Sequence, residues 1–216
     1  MENEGDSILM KRLIPQFFVF HFSLCVCLLA GCFDEPEPAY KTVPAESRLY
    51  LQDQGLRDLK STDLSKVGDY LNLDRNQLTN VDEVATLAGL KWLRLNSNRL
   101  TSLPDLKALV NLRRIYLKDN RFAEVPETLR DLPALTDVDL SGNPITEVPE
   151  WLAKKEGLEN LSFSRTQITK LPEDLSAWKS LKTLQLGDLR LDPAEMARIR
   201  AAFDPKDNPL GTAVVF

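Results

Sequence analysis

The side chains best suited to nucleophilic or metal chemistry all lie near the amino terminus. His21 is the only histidine, and the three cysteines are Cys25, Cys27 and Cys32. Residues 33–216 therefore contain no Ser–His or Cys–His pair and none of the usual zinc ligand sets. A glycine-rich phosphate-binding loop is absent from the sequence as well. The main body of the chain thus lacks the groups on which most hydrolases and metalloenzymes depend.

Paired carboxylates are the remaining candidates for acid–base chemistry. Asp137 and Asp139 are two residues apart in a strand-like alternation, which places both side chains on one face. On an open strand face, water should keep both carboxyls ordinary surface acids, which are poorly suited to general acid–base work. A weak hydrolase is therefore the least favoured functional hypothesis. The sequence predicts a non-enzyme with no metal and no cofactor.

A repeating apolar pattern organises most of the chain. Leu90–Leu100 (LKWLRLNSNRL), Leu112–Phe122 (LRRIYLKDNRF) and Leu135–Ile145 (LTDVDLSGNPI) fit one template, L-x-x-L-x-L-x-x-N-x-L, if Ile, Val or Phe replaces Leu. Four further copies continue the register, with steps of 22, 22, 22, 23, 23 and 23 residues at the asparagine position. The residues at that position are Gln54, Asn76, Asn98, Asn120, Asn143, Thr166 and Leu189. A chance pattern would not hold register this long.

The template predicts one short strand and one return leg in each copy. Two apolar residues separated by one position, such as Leu93 and Leu95, point to the same side of a strand, and the residue between them faces away. The asparagine amide can hydrogen-bond the turning backbone, so stacked copies should form an asparagine ladder. The return legs begin with a proline, which favours a turn or a short helix. These prolines are Pro104, Pro126, Pro149 and Pro172.

The pattern resembles the leucine-rich-repeat family over residues 48–191, in its short bacterial type. The resemblance implies an α/β solenoid, which is a right-handed superhelix with a parallel sheet on its concave face. Short helices and irregular segments are expected on the convex side. Many members of the family bind proteins through the concave face, although a fold alone does not determine a function.

Residues 192–216 are predicted to close the carboxy-terminal end of the solenoid. Asp192-Pro193-Ala194-Glu195 is a strong helix start, and Met196, Ile199 and Phe203 form a helical stripe. The residues 212–216 are expected to form a final edge strand. Because Leu189 replaces the ladder asparagine, we expect another group, such as the capping helix, to satisfy the last turn. The worn first repeat is expected to cap the other end.

The amino-terminal segment has the organisation of a secretion signal. Lys11 and Arg12 precede an uncharged run, 13–31, which ends in Leu29-Ala30-Gly31-Cys32. This ending resembles the lipobox of bacterial lipoproteins. The resemblance implies that Cys32 receives a diacylglyceryl group, that a peptidase then removes residues 1–31, and that the new amino terminus is often acylated. The alternative is an uncleaved membrane helix, because about 20 apolar residues can span a bilayer.

Several further expectations concern the anchor. Residues 1–9 are acidic and unusual ahead of such a signal, so translation is expected to begin at Met10. Residues 32–47 should form the lipidated cysteine and a tether rich in proline and acids, with a reach of roughly 45 Å at about 3 Å per residue. Phe33, rather than an aspartate, follows the cysteine. In the lipoproteins that the chain resembles, this favours the outer membrane, if the organism has one.

The candidate binding residues occupy outward positions of neighbouring repeats. Stacking places them side by side as Trp92, Arg94, Arg114, Tyr116 and Lys118, followed by Asp137 and Asp139. Tyr, Trp and Arg dominate binding hot spots. Parallel strands always place outward side chains in rows, however, so an ordinary polar surface is the alternative interpretation. The mild net charge of −5 argues against a nucleic-acid partner.

The sequence therefore favours a monomeric, lipid-anchored protein of the bacterial cell envelope. It would bind a protein partner through the concave face and would not be a catalyst. The alternative is a structural envelope protein without a dedicated concave-face partner.

Overall fold

The computed structural model describes residues 47–204, 206 and 211–216. The predicted signal peptide, the lipidation site Cys32 and residues 33–46 of the tether lie outside the described residues. In the described part, eight parallel strands form one sheet in chain order. The strands are β1 (Arg48–Tyr50), β2 (Tyr70–Asn72), β3 (Trp92–Arg94), β4 (Arg114–Tyr116), β5 (Asp137–Asp139), β6 (Asn160–Ser162), β7 (Thr183–Gln185) and β8 (Ala213–Val215).

The strand register follows the sequence template. The middle residue of each strand pairs with the middle residue of the next, as Leu93 does with Leu71 on one side and Ile115 on the other. Leu93, Leu95 and Ile115 are fully buried, because each strand alternates between core and solvent. The template leucines of the first repeat, such as Leu49 and Leu51, are only partly buried. The predicted α/β solenoid with a parallel sheet is therefore confirmed. We call the sheet face away from this core the concave face.

The predicted asparagine ladder is present. The side-chain amide of Asn98 donates to the carbonyl oxygens of Leu73 (2.9 Å), Leu95 (3.1 Å) and Asn96 (3.2 Å), and its oxygen accepts the N–H of Leu78 (3.1 Å). The same pattern recurs at Asn76, Asn120 and Asn143. Each asparagine therefore joins two successive turns whose backbone groups are buried.

Two ladder positions without asparagine close their turns through the backbone. The N–H of Thr166 donates to the carbonyl of Phe163 (3.2 Å), and the N–H of Leu189 donates to that of Leu186 (3.3 Å). The last turn is therefore satisfied another way, as expected, but through its own backbone and not through the capping helix suggested from the sequence. Thr166 nevertheless has a buried hydroxyl without a hydrogen bond, so threonine replaces the asparagine incompletely.

The return legs contain short helices and irregular segments, as predicted. The helical segments are the 3₁₀ turns Asp82–Thr86, Glu127–Leu129 and Ser176–Ser180 and the helix α1 (Glu150–Ala153). Pro126 and Pro149 directly precede two of them in an extended conformation. Trp178 is fully buried on this side, where its indole N–H donates to the carbonyl of Leu152 (3.0 Å). Among the described helices, none has both the length and the apolarity needed to cross a bilayer.

A helix and a strand close the carboxy-terminal end of the sheet. Helix α2 (Pro193–Ala202) begins at Asp192, whose carboxylate accepts the N–H of Glu195 (2.7 Å). Ile199 and Phe203 are buried against the last repeats. Strand β8 then pairs in parallel with β7. The predicted cap of a helix and an edge strand is confirmed.

The residue before each ladder position adopts a left-handed backbone conformation. Six of these residues have side chains, including Asp119 and Arg165, and the seventh is Gly142 at φ 68°. Glycine at this place leaves room for an ion pair, because Arg165 reaches across it to the carboxylate of Asp119 (2.9 Å). A Cβ atom at Gly142 would lie 2.1 Å from that carboxylate oxygen.

Candidate protein-binding surface

Two rows of side chains cover the concave face, because each strand presents the residues on either side of its buried middle residue. The first row is Arg48, Tyr70, Trp92, Arg114, Asp137, Asn160 and Thr183, and the second is Tyr50, Asn72, Arg94, Tyr116, Asp139, Ser162 and Gln185. The register places Trp92 beside Arg114 and Arg94 beside Tyr116. The structure therefore brings together the four residues at the centre of the predicted surface.

The arginines of these two rows lie against aromatic rings. The guanidinium carbon of Arg114 is 4.5 Å from the centre of the Trp92 ring, and that of Arg94 is 5.3 Å from the centre of the Tyr116 ring. Cation–π contacts of this kind stabilise the paired arrangement of the two side chains. All four side chains are partly buried.

A buried acid holds Arg94 in place. Asp74, which is 2% exposed, accepts a hydrogen bond from Nε of Arg94 (2.8 Å). Burial opposes the charge of Arg94, but the carboxylate of Asp74 outweighs it and raises the pKa of the arginine above its ordinary value. Asp74 was absent from the predicted site. The template places Asp74 on the concave side, two residues after Asn72. Its burial, however, depends on side-chain packing, which the sequence pattern does not predict.

Asp137 is a buried partner of Arg114. One carboxylate oxygen lies 3.6 Å from Nε of Arg114, and the other accepts a hydrogen bond from the amide of Asn160 (2.7 Å). Its residual exposure is 7%. The expectation that Asp137 would be an ordinary surface acid was therefore wrong, because neighbouring strands enclose it.

Asp139 departs from the same expectation for a different reason. Burial raises the pKa of its carboxyl above the ordinary range, although the hydroxyl and the backbone N–H of Ser141 partly oppose this effect. The N–H of Ser141 donates to Oδ1 at 2.9 Å. Lys118 lowers the pKa through its charge but forms no ion pair with Asp139 in the described part of the chain. Asp139 is thus a carboxylate that the folded chain only partly compensates.

An aromatic extension of the surface was missed by the sequence analysis. The ring centres of Tyr50 and Tyr70 are 5.1 Å apart, and those of Tyr70 and Trp92 are 5.8 Å apart. Tyr50 is 48% exposed, whereas Tyr70 is buried. Both tyrosines occupy the same two rows of the template, so the register alone was sufficient to include them. We call Tyr50, Tyr70, Trp92, Arg94, Arg114 and Tyr116 the aromatic–arginine patch.

The concave face changes character at β5. The patch occupies β1–β4, whereas β5–β7 carry acids and small polar residues that bond to one another. The hydroxyls of Ser141 and Ser162 are 2.6 Å apart, and Ser162 also donates to the side chain of Gln185 (3.3 Å). No group of three potential metal ligands occurs among the described residues. The patch therefore offers apolar area and donors, while the remainder of the face is largely satisfied internally.

Comparison with known proteins agrees with this architecture. A sequence model of the family described as "Leucine rich repeat" matches residues 88–145. These residues include β3 and β4 and most of the patch. A search of curated proteins gave no match.

Solved structures with similar folds come from several bacteria. A leucine-rich-repeat protein of Leptospira interrogans is 30% identical, with a TM-score of 0.61, over 71% of this chain and 38% of that one. An internalin of Listeria monocytogenes is 18% identical, with a TM-score of 0.57, over 71% of this chain and 44% of that one. The leucine-rich-repeat domain of a Shigella effector is 24% identical, with a TM-score of 0.54, over 79% and 81% of the two chains.

The chain spans less than half the length of the first two proteins, so their other parts have no counterpart in the alignment. The similarity concerns the repeats and the sheet that they build. The sequence match, the strand register and the asparagine ladder agree, and the described part of the chain has the solenoid fold of leucine-rich-repeat proteins.

Proposed function

We propose that this chain is a non-catalytic binding module that recognises a protein partner through the aromatic–arginine patch of its concave face. The proposal rests chiefly on one observation, which is the stacking of Trp92 with Arg114 and of Tyr116 with Arg94 on adjacent strands. Aromatic and arginine side chains that are already ordered lose little entropy on binding. They are also the residue types that dominate protein interfaces.

A structural role in the envelope is the second candidate. The ion pairs of Arg94 with Asp74 and of Arg114 with Asp137 favour it, because they neutralise much of the charge of the face internally. In that case the surface residues could be replaced without loss of function, whereas the solenoid caps could not.

We further propose that the chain is a lipoprotein anchored through Cys32 in the bacterial cell envelope. The support is the sequence Leu29-Ala30-Gly31-Cys32 after a basic start and an uncharged run. Two or three acyl chains would hold the protein stably at a membrane. Metabolic labelling with a palmitate analogue tests this proposal. Label should appear in the wild-type protein and be lost in Cys32→Ser, and equal labelling of both would contradict it.

Affinity capture tests the binding proposal. The bait is the tagged full chain in mild detergent, compared with a variant that carries Trp92→Ala, Arg94→Ala, Arg114→Ala and Tyr116→Ala. A matched control replaces four exposed residues outside the patch, which are Arg99, Lys107, Val110 and Arg121, with Ala. Circular dichroism verifies that all three are folded.

The proposal predicts a protein that is retained by the wild type and the control and lost from the patch variant. Retention of the same proteins by all three baits would favour the structural role.

A further inference from the structure

We propose that Arg94 and Lys118 receive a carboxylate of the partner, so that the concave face binds an acidic segment of a protein. This inference rests on the proposed binding function and adds the chemistry of the bound group. It follows from how Arg94 is fixed, which of its donors remain open, and where Lys118 lies.

The packing around Arg94 orients its guanidinium before any partner arrives. Nε donates to Oδ2 of Asp74 at 2.8 Å, and the other carboxylate oxygen of Asp74 accepts the backbone N–H of Asn96 at 2.7 Å. Asp74 is therefore itself fixed by the backbone. The ring of Tyr116 lies beside the guanidinium, with 5.3 Å between the guanidinium carbon and the ring centre. The arginine is held from two sides.

The outer edge of this guanidinium remains open. Within the described residues, neither terminal nitrogen of Arg94 has a hydrogen-bond acceptor, and the side chain is 31% exposed. The two terminal nitrogens match the spacing of the two oxygens of a carboxylate, which arginine binds in a bidentate manner. Because Asp74 and Tyr116 already order the side chain, binding costs little conformational entropy.

Lys118 supplies a second cationic donor in the neighbouring repeat. Lys118 lies two residues after Tyr116, and its backbone N–H donates to the side chain of Asn96 (2.9 Å). This bond keeps the segments that follow β3 and β4 adjacent to each other. No carboxylate of the described chain lies within ion-pair distance of its ammonium group. The centre of the face thus presents a guanidinium edge and an ammonium group to a ligand.

The opposing feature on this part of the face is Asp139, which would attract a basic segment instead. One of its oxygens already accepts the N–H of Ser141 (2.9 Å). Arg94 and Lys118 are two cationic side chains with open donors, whereas Asp139 is one carboxylate with one oxygen already bonded. For this reason the acidic segment is favoured. A basic segment is one of the outcomes that the experiment separates.

Fluorescence anisotropy with defined peptides tests the inference. The probe is a fluorescein-labelled peptide of alternating Glu and Tyr, and in two matched peptides every Glu is replaced by Gln or by Lys. Each is titrated with the full chain in detergent. We expect the Glu peptide to bind at least about tenfold more tightly than the Gln peptide. This preference should be lost in Arg94→Gln and in Lys118→Gln, and kept in Arg121→Gln, which alters an exposed arginine outside the patch.

Three results with the wild-type chain would overturn the carboxylate site. They are equal binding of the Glu and Gln peptides, tighter binding of the Lys peptide, and no binding of any peptide up to about 1 mM. An undiminished preference in both Arg94→Gln and Lys118→Gln would overturn it as well. The four-residue patch variant separates the two claims. If the patch variant binds none of the peptides while the single variants keep the preference for Glu, the binding function stands without the carboxylate site. If the patch variant still binds all the peptides, the binding function fails too.

Discussion

At the residue scale, the ladder asparagines and two paired aspartates stabilise the fold, whereas Asp139 does not. The ladder asparagines saturate buried backbone groups, and Asp74 and Asp137 are each paired with an arginine and further hydrogen-bonded. Asp139, in contrast, is a partly buried carboxylate, and Lys118, whose charge lowers its pKa, forms no ion pair with it among the described residues. Such uncompensated charge lowers the stability of the folded protein.

Removal of one ladder asparagine should destabilise the protein markedly. Asn98→Ala leaves three carbonyl oxygens and the N–H of Leu78 without their side-chain partner. Because these groups are buried, we expect a loss of about 2–4 kcal/mol in the free energy of unfolding, measured with urea. Asn111→Ala is the control, since the exposed Asn111 makes a single hydrogen bond of 3.3 Å to the carbonyl of Ala88. A similar small effect of both substitutions would contradict the role of the ladder.

Neutralisation of Asp139 should stabilise the protein at neutral pH. Its pKa is raised in the folded state, chiefly by burial, so the folded protein loses stability as pH rises from the ordinary value of 3.8 through the raised one. Asp139→Asn removes this loss and should increase the free energy of unfolding at pH 7, by about 1 kcal/mol at most. The difference should vanish near pH 3.

The matched control for that substitution is Asp105→Asn. Asp105 is exposed and accepts the N–H of the residue two positions later, as Asp139 does. It should show no such gain in stability at pH 7. Equal stability of Asp139→Asn and the wild type at pH 7 would refute the claim that Asp139 is an uncompensated charge.

At the scale of elements, the cap depends on a buried ion pair as well as on apolar contacts. The carboxylate of Glu195 accepts the N–H of Leu171 (2.8 Å) and two hydrogen bonds from Arg198 (2.7 and 2.8 Å). Arg198 also donates to the carbonyls of Leu171 and Pro172. Through these bonds, helix α2 satisfies backbone groups of the preceding return leg that the end of a solenoid would otherwise leave unpaired.

Glu195→Gln should therefore weaken the cap in a manner that depends on pH. The hydrogen bonds from Arg198 lower the pKa of Glu195, although burial opposes them. The stabilisation is thus complete above the ordinary value of 4.5 and is lost as pH falls through the lowered value. We expect a loss of about 1–3 kcal/mol at pH 7 that shrinks below about pH 4. Glu173→Gln, which alters an exposed acid paired with Lys170, should lower the free energy of unfolding much less. A loss of equal size at pH 7 and pH 3 would contradict this mechanism.

At the scale of the whole solenoid, the sequence predicted the fold well because one template reports on several features at once. The leucine positions indicate which side of each strand is buried, the asparagines mark the turns, and Asp192 marks the start of the capping helix. The later repeats are one residue longer than the early ones, and the additional residue lies between the strands. The amide of Asn98 reaches a carbonyl 25 residues earlier, and that of Asn143 reaches one 26 residues earlier.

The binding surface could be predicted only in part. The register placed Trp92, Arg94, Arg114 and Tyr116 together, because rows on a parallel sheet follow directly from the repeat length. The burial of Asp74 and Asp137 and the raised pKa of Asp139 could not be predicted, because they depend on how neighbouring side chains enclose each carboxyl. The closure of the turn at Leu189 by its own backbone likewise depends on local geometry that a leucine does not signal.

The most direct test of the concave-face account is photocrosslinking in cells. A photoreactive phenylalanine analogue is placed at Tyr50, which is 48% exposed in the patch, or at Val110, which is 52% exposed on a return leg. The two sites thus differ in face far more than in accessibility. If the concave face binds a protein, position 50 should give a discrete crosslinked protein that is absent from position 110. Crosslinks from position 110 alone, or the same products from both positions, would contradict it.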